Sequence, residues 1–175
     1  MIVVVDTGPV IALDNLNRLD LLSLFEAPIV IPSHVRRELL SKPETETQNI
    51  ERALANRIHV RDVPALDAAT KDAVARLDAG ERQAVGLASA LDEKTLLVMD
   101  DKAGRRVARQ LDCSVTGVIG VLLRAKELGR VEAVAPLLLA LREGGYWLSD
   151  AIIEHAKELA GETGFADEDD AVDDL

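Results

Sequence analysis

The sequence predicts an α/β protein, a three-layer α/β/α sandwich with a mostly parallel central sheet. Three observations predict it. Residues 2–5 and 95–99 are short apolar runs, the pattern of strands buried on both faces. Segments with Leu, Val and Ala at helical spacing alternate with such runs, as βαβ connections require. Aromatics make up 2% of the chain against 48% hydrophobic residues, so the core is aliphatic rather than that of an aromatic-rich β-sandwich.

The first strand, residues 2–5, ends at Asp6. Thr7-Gly8-Pro9 predicts a turn, with Pro9 at the first position of a helix. Residues 10–25 carry Leu at helical spacing, and Asn17 is placed to cap a second helix there, with Asp20 in its first turn. A second strand, 29–31, lies between Pro28 and Pro32, and Ser33 is the N-cap expected for a helix over 34–41. Residues 42–48 (KPETETQ) read as a loop and 48–56 as a helix. Residues 58–63 read as a strand whose polar alternation puts it at an edge. Helices over 67–77 and 81–91 are separated by a break at Gly80. The strand 95–99 ends at Asp100-Asp101 and is followed by a helix over 102–110 and a short strand at 114–116. Helices over 118–128, 132–141 and, from its N-cap Ser149, to about 159 complete the chain. Right-handed crossovers place the C-terminal ends of parallel strands on one edge, where ligand sites form at the point of strand-order reversal.

A length of 175 residues suits one domain with one core, expected over 1–162. Residues 163–175 end in DEDDAVDDL, the composition of a solvated, disordered acidic tail. The lone Cys113 excludes an internal disulfide and a thiolate zinc site, and is expected to be a small core residue. No run of 18 apolar residues exists, and Asp6 interrupts the first apolar stretch, so neither a membrane span nor a signal peptide is expected. The expected location is the cytoplasm. Lys and Arg number 20 against 31 Asp and Glu, a net charge of −11 that excludes nucleic-acid binding through a general basic surface.

Two buried-looking strands end in acid, at Asp6 and at Asp100-Asp101, and Glu38 and Glu81 lie in helices near the same edge. If the two strands are neighbours, their terminal carboxylates share one small cavity. Clustered carboxylates raise one another's pKa, and a hard divalent cation such as Mg²⁺ or Mn²⁺ removes that cost. Such a cation can activate water and stabilise charge on a phosphoryl oxygen. Each acid also has a plainer role: Asp6 as a helix cap, Glu81 as a first-turn acid at a helix dipole, Glu38 as a surface acid beside Arg37. Joint placement, not any one residue, makes the case. Lys102, Arg105, Arg106 and Arg109 share a helix just beyond Asp101, as phosphate contacts or as a solvated face. His34, His59 and His155 have no metal-ligand spacing and read as surface or cap residues, and Tyr146-Trp147 read as packing a turn against the body or a partner.

In order along the chain, VVVDTGPVIAL, IVIPSHVRREL, LDAGERQAVGLASAL and LLVMDDKAGRRVARQL resemble the PIN-domain superfamily. The continuation TGVIGVLLRAKELGRV extends the likeness to a VapC-like branch, over residues 2 to about 160. The resemblance implies a Mg²⁺- or Mn²⁺-dependent endoribonuclease with Asp6, Glu38, Glu81 and Asp101 as catalytic and metal-binding residues, and Asp100 as a further candidate ligand. Glu81 stands where many relatives have Asp, and Thr7 matches a small hydroxyl residue that assists the first acid; Thr7, Lys102 and Arg105 are candidate substrate contacts. It also implies a homodimer and a cognate antitoxin that blocks the site. A haloacid-dehalogenase-like phosphatase is disfavoured because Gly8 stands where its second acid would be. A non-catalytic PIN-like interaction module is the remaining alternative, and the acidic total favours it.

Overall fold

The computed structural model describes residues 1–41 and 43–162; Lys42 and the acidic segment 163–175 lie outside the described residues. Five strands form one sheet: β1 (Ile2–Val5), β2 (Ile29–Ile31), β3 (Ile58–Val60), β4 (Thr95–Val98) and β5 (Ser114–Thr116). Their order is β3-β2-β1-β4-β5 and every pairing is parallel. The sheet is flanked by helices, a PIN-like α/β/α arrangement. β1 and β4 are neighbours over their whole length, Ile2 opposite Thr95 through Val5 opposite Val98. Strand order reverses between them, because the chain runs outward through β2 and β3 before returning beside β1.

The aliphatic composition explains the core. Val3, Val4 and Val5 are fully buried, so side chains on both faces of the central strand are covered. On one face Ile2, Val4, Val30, Leu97 and Met99 pack with Val74, Leu77, Ala84, Leu87, Val107 and Ala108. Those partners come from α4 (Ala68–Val74), α5 (Ala79–Ala90), α6 (Lys102–Gln110) and the turn after α4. Cys113 is partly buried against this cluster.

Several boundaries differ from expectation, each for a local reason. No turn separates β1 from the first helix: α1 (Thr7–Asn15) starts at once with Asp6 at its N-cap, and Pro9 sits two residues further in, where its missing N–H still costs nothing. Asn17 caps no helix. Its φ of 54° is left-handed, its N–H bonds the Asp14 carbonyl at 2.7 Å, and a 3-10 segment (Leu19–Phe25) follows. In α2 (Ser33–Leu39) the N-cap is Pro32, not Ser33. The expected loop at 42–48 is largely helical, since α3 (Glu44–Asn56) starts directly after Pro43. Gly80 does not break a helix; it lies inside α5, whose N-cap Asp78 accepts the Glu81 N–H at 2.8 Å.

Contacts divide the chain into two compact units, Met1–Val121 and Leu122 onward. The first holds the sheet. The second includes α8 (Ala135–Glu143) and α9 (Asp150–Leu159), the latter capped by Ser149 as expected. The helix expected from residue 132 starts at 135, because Glu162 caps that end: it accepts from Val134 N at 2.6 Å, Ala135 N at 2.8 Å and Lys126 Nζ at 2.6 Å. Trp147 is not packed against the body: it is 81% exposed on the turn after Gly144-Gly145. A helix, α7 (Val118–Glu127), follows β5. No helix among the described residues is long and apolar enough to cross a membrane.

Candidate active site

All candidate acids lie in the first unit, at the C-terminal edge of the sheet beside the β1–β4 reversal. β1 delivers Asp6, whose N–H bonds the Val98 carbonyl of β4 at 3.0 Å. With 7% exposure Asp6 is a buried acid, and it makes no side-chain cap bond to α1. Burial first, then the charges of Glu81, Asp78 and Glu38, push its pKa up to about 7, against a partial opposing pull from the Thr7 N–H. The capping role that sequence allowed for Asp6 is thus not made by its side chain.

Glu38 reaches the site from α2. Its Oε2 accepts from the Thr7 hydroxyl, and its Oε1 lies 3.2 Å from His34 Nε2. The carboxylate rests over the first turn of α5, where a Cβ on Gly80 would stand 2.7 Å from Oε2. Glycine at this position admits the acid. The positive end of the α5 dipole lies beneath it and offsets part of the repulsion among the acids.

Glu81 and Asp78 form a reciprocal capping box at the start of α5, with Asp78 N donating to Glu81 Oε2 at 3.4 Å. Both the dipole role and membership of the acid cluster therefore hold for Glu81. Burial, then the charges of Asp101 and Asp78, raise its pKa to about 6, and its carboxyl shares a hydrogen bond with Asp101. Asp101 caps α6, Oδ1 accepting from Ala103 N at 2.7 Å and Gly104 N at 2.8 Å. Asp100 turns elsewhere: its Oδ1 accepts from Val118 N at 3.0 Å and fixes the start of α7.

Of the sequence-derived candidates, Asp6, Thr7, Glu38, Glu81 and Asp101 are brought together, while one oxygen of Asp100 is committed to α7. Arg105 is half-buried, with Nη1 donating to the Met99 carbonyl at 2.9 Å; Lys102, Arg106 and Arg109 are exposed. Two residues were missed. Asp78 belongs to the cluster, and the spacing Asp78-x-x-Glu81 is the capping-box signal that could have found it. His34 is no bystander, since it touches Glu38; the i, i+4 spacing was its only signal.

Among the described residues no three His, Cys, Asp or Glu side chains converge as a ready metal cage. The donor set is nonetheless all hard oxygen, and two of its carboxyls, Asp6 and Glu81, resist ionisation, first through burial and then through the charges of neighbouring acids. Chemically, these residues fit Mg²⁺ or Mn²⁺ and not a thiophilic metal.

Fold and site together define a parallel α/β protein with an acidic, oxygen-donor site at the switch point of its sheet. The chain belongs to a family described as a PIN domain, whose model matches residues 2–162. PIN domains are generally metal-dependent nucleases, so this is a nuclease fold. No curated protein and no solved structure matches the chain at a significant level.

Proposed function

We propose that the protein is a divalent-cation-dependent endoribonuclease and that Asp6, Glu38, Glu81 and Asp101 are its cation ligands. The observation that carries this reading is the gathering of acids from four separate elements around a buried Asp6 at the β1–β4 reversal. An uncompensated cluster of this kind is costly for a fold to keep, and a bound cation relieves it. When bound, the cation supplies positive charge against phosphoryl oxygens and makes water easier to deprotonate. Glu81 lies beside Asp101, and its carboxylate would orient an attacking water. Asp101 has one oxygen held by two backbone N–H groups and serves better as a fixed ligand. Thr7 holds Glu38 in place through its hydroxyl, whose oxygen can still accept a bond from substrate. The exposure of Lys102, Arg106 and Arg109 on α6, the helix that follows Asp101, supports their contact with RNA phosphates.

The finer reading, the toxin of a toxin–antitoxin pair acting as a homodimer in the cytoplasm, is supported by the sequence resemblance to VapC-like proteins. The net charge of −11 favours a second reading, a PIN-like module that binds protein and cleaves nothing. One experiment separates the two. Purified chain is incubated with a mixed pool of structured RNA under Mn²⁺, Mg²⁺ or EDTA, beside Asp6→Asn. The nuclease reading expects cleavage with either metal, lost in EDTA and in the variant. Normal cleavage by Asp6→Asn sinks the site; absence of both cleavage and Mn²⁺ binding favours the module.

A further inference from the structure

We infer that His34 is a positioning residue, a ring N–H donor oriented by Arg37 that fixes the Glu38 carboxylate at the acid cluster. The inference rests on the reading of Glu38 as a cation ligand. Arg37 Nη2 lies 3.0 Å from His34 Nδ1. A guanidinium offers only donors, so Nδ1 must accept and the ring proton must sit on Nε2. That Nε2 lies 3.2 Å from Glu38 Oε1, and its N–H therefore points at the carboxylate. Arg37, His34 and Glu38 form a directed chain along one helix, set by their i, i+3 and i+4 spacing.

Glu38 needs such help. Its side chain is 36% exposed, so packing alone does not choose among its rotamers. Thr7 holds Oε2 and His34 holds Oε1, which leaves one orientation, over Gly80. The backbone of His34 is anchored in turn: its N–H donates to Gln83 Oε1 at 3.0 Å, tying α2 to α5. The positioning chain and the first turn of α5 are thereby held in one frame. A surface His–Glu pair at the same spacing would have no bearing on a cation site. Partners that orient a ligand typically change metal affinity by about 10- to 100-fold when removed.

The test is Mn²⁺ affinity of the full chain, read by the electron paramagnetic resonance of free Mn²⁺, for the unaltered protein, His34→Ala, His34→Gln and Asp6→Asn. Melting in EDTA and the separate kcat and KM for RNA accompany it. Removal of the ring in His34→Ala is expected to weaken Mn²⁺ binding about tenfold while melting in EDTA stays unchanged. His34→Gln, which keeps an N–H donor, is expected to recover most of the affinity. Should His34→Ala lose its fold, His34→Leu, which fills the space without a donor, takes its place with the same expectation. Unchanged Mn²⁺ affinity in the donor-less variant, with binding lost in Asp6→Asn, overturns the role of His34 and leaves the acid site standing. No Mn²⁺ binding by the unaltered protein overturns both.

Discussion

At Asp6 a carboxyl is held among like charges in a buried position, and its protonation couples to the stability of the fold. Its folded-state pKa of about 7 exceeds the ordinary 3.8, so the folded chain binds this proton more tightly than the unfolded chain. Stability contributed by that preference is full at pH below the ordinary value and is lost as pH rises through about 7. Asp6→Asn removes the effect while keeping the side chain's size. Melting curves in EDTA are expected to show the variant gaining on the unaltered protein by roughly 3 kcal/mol between about pH 5 and about pH 8. A constant difference across that range would show that burial of Asp6 is not opposing its charge. The same protons must leave when a cation binds, so Mn²⁺ affinity is expected to rise with pH over this range, with proton release measurable by calorimetry in buffers of different ionisation enthalpy. Asp6, Glu81 and Asp101 were legible because each stands beside an unmistakable element. Asp78 was not, because Gly80 reads as a helix break in the sequence and hides the capping box that spans it. His34 was not, because its partner lies on its own helix and no second histidine marks it.

Among elements, α5 concentrates the tension between stability and site. Alanine is favoured over glycine inside a helix by about 1 kcal/mol, so Gly80→Ala would ordinarily stabilise. Here the new Cβ would stand 2.7 Å from Glu38 Oε2 and 3.0 Å from Oε1. Gly80→Ala is expected to leave thermal stability equal or higher while weakening Mn²⁺ binding and cleavage severalfold. Retained binding would mean that Glu38 can move aside without consequence. Element types were well marked in the sequence: β1, β2, α6 and β5 fall on their expected residues because apolar runs and capping acids bracket them. Where boundaries moved, backbone conformation decided. The left-handed Asn17 and the helix start behind Pro43 depend on torsions that hydrophobic spacing does not encode.

For the molecule as a whole, the proposed cation site predicts a ligand-dependent gain in stability. A cation present at about 100 times its dissociation constant stabilises a folded protein by about 2.7 kcal/mol. A Mn²⁺-dependent rise in melting temperature is therefore expected, absent in Asp6→Asn. At acid pH Glu162 contributes a dependence of the opposite sign. Burial raises the pKa of Glu162, but the Lys126 ammonium and the Val134 and Ala135 N–H groups outweigh it and hold the carboxyl below its ordinary 4.5. Its stabilisation is present above that ordinary value and is lost as pH falls through the depressed one. Trp147 bears on how these transitions can be watched. It is the chain's single tryptophan, and it already stands in water when the protein is folded. Its emission has little to lose on unfolding, so intrinsic fluorescence is a poor gauge of folding here. For the same reason it is a clean single-site reporter for anything that docks on the turn it occupies.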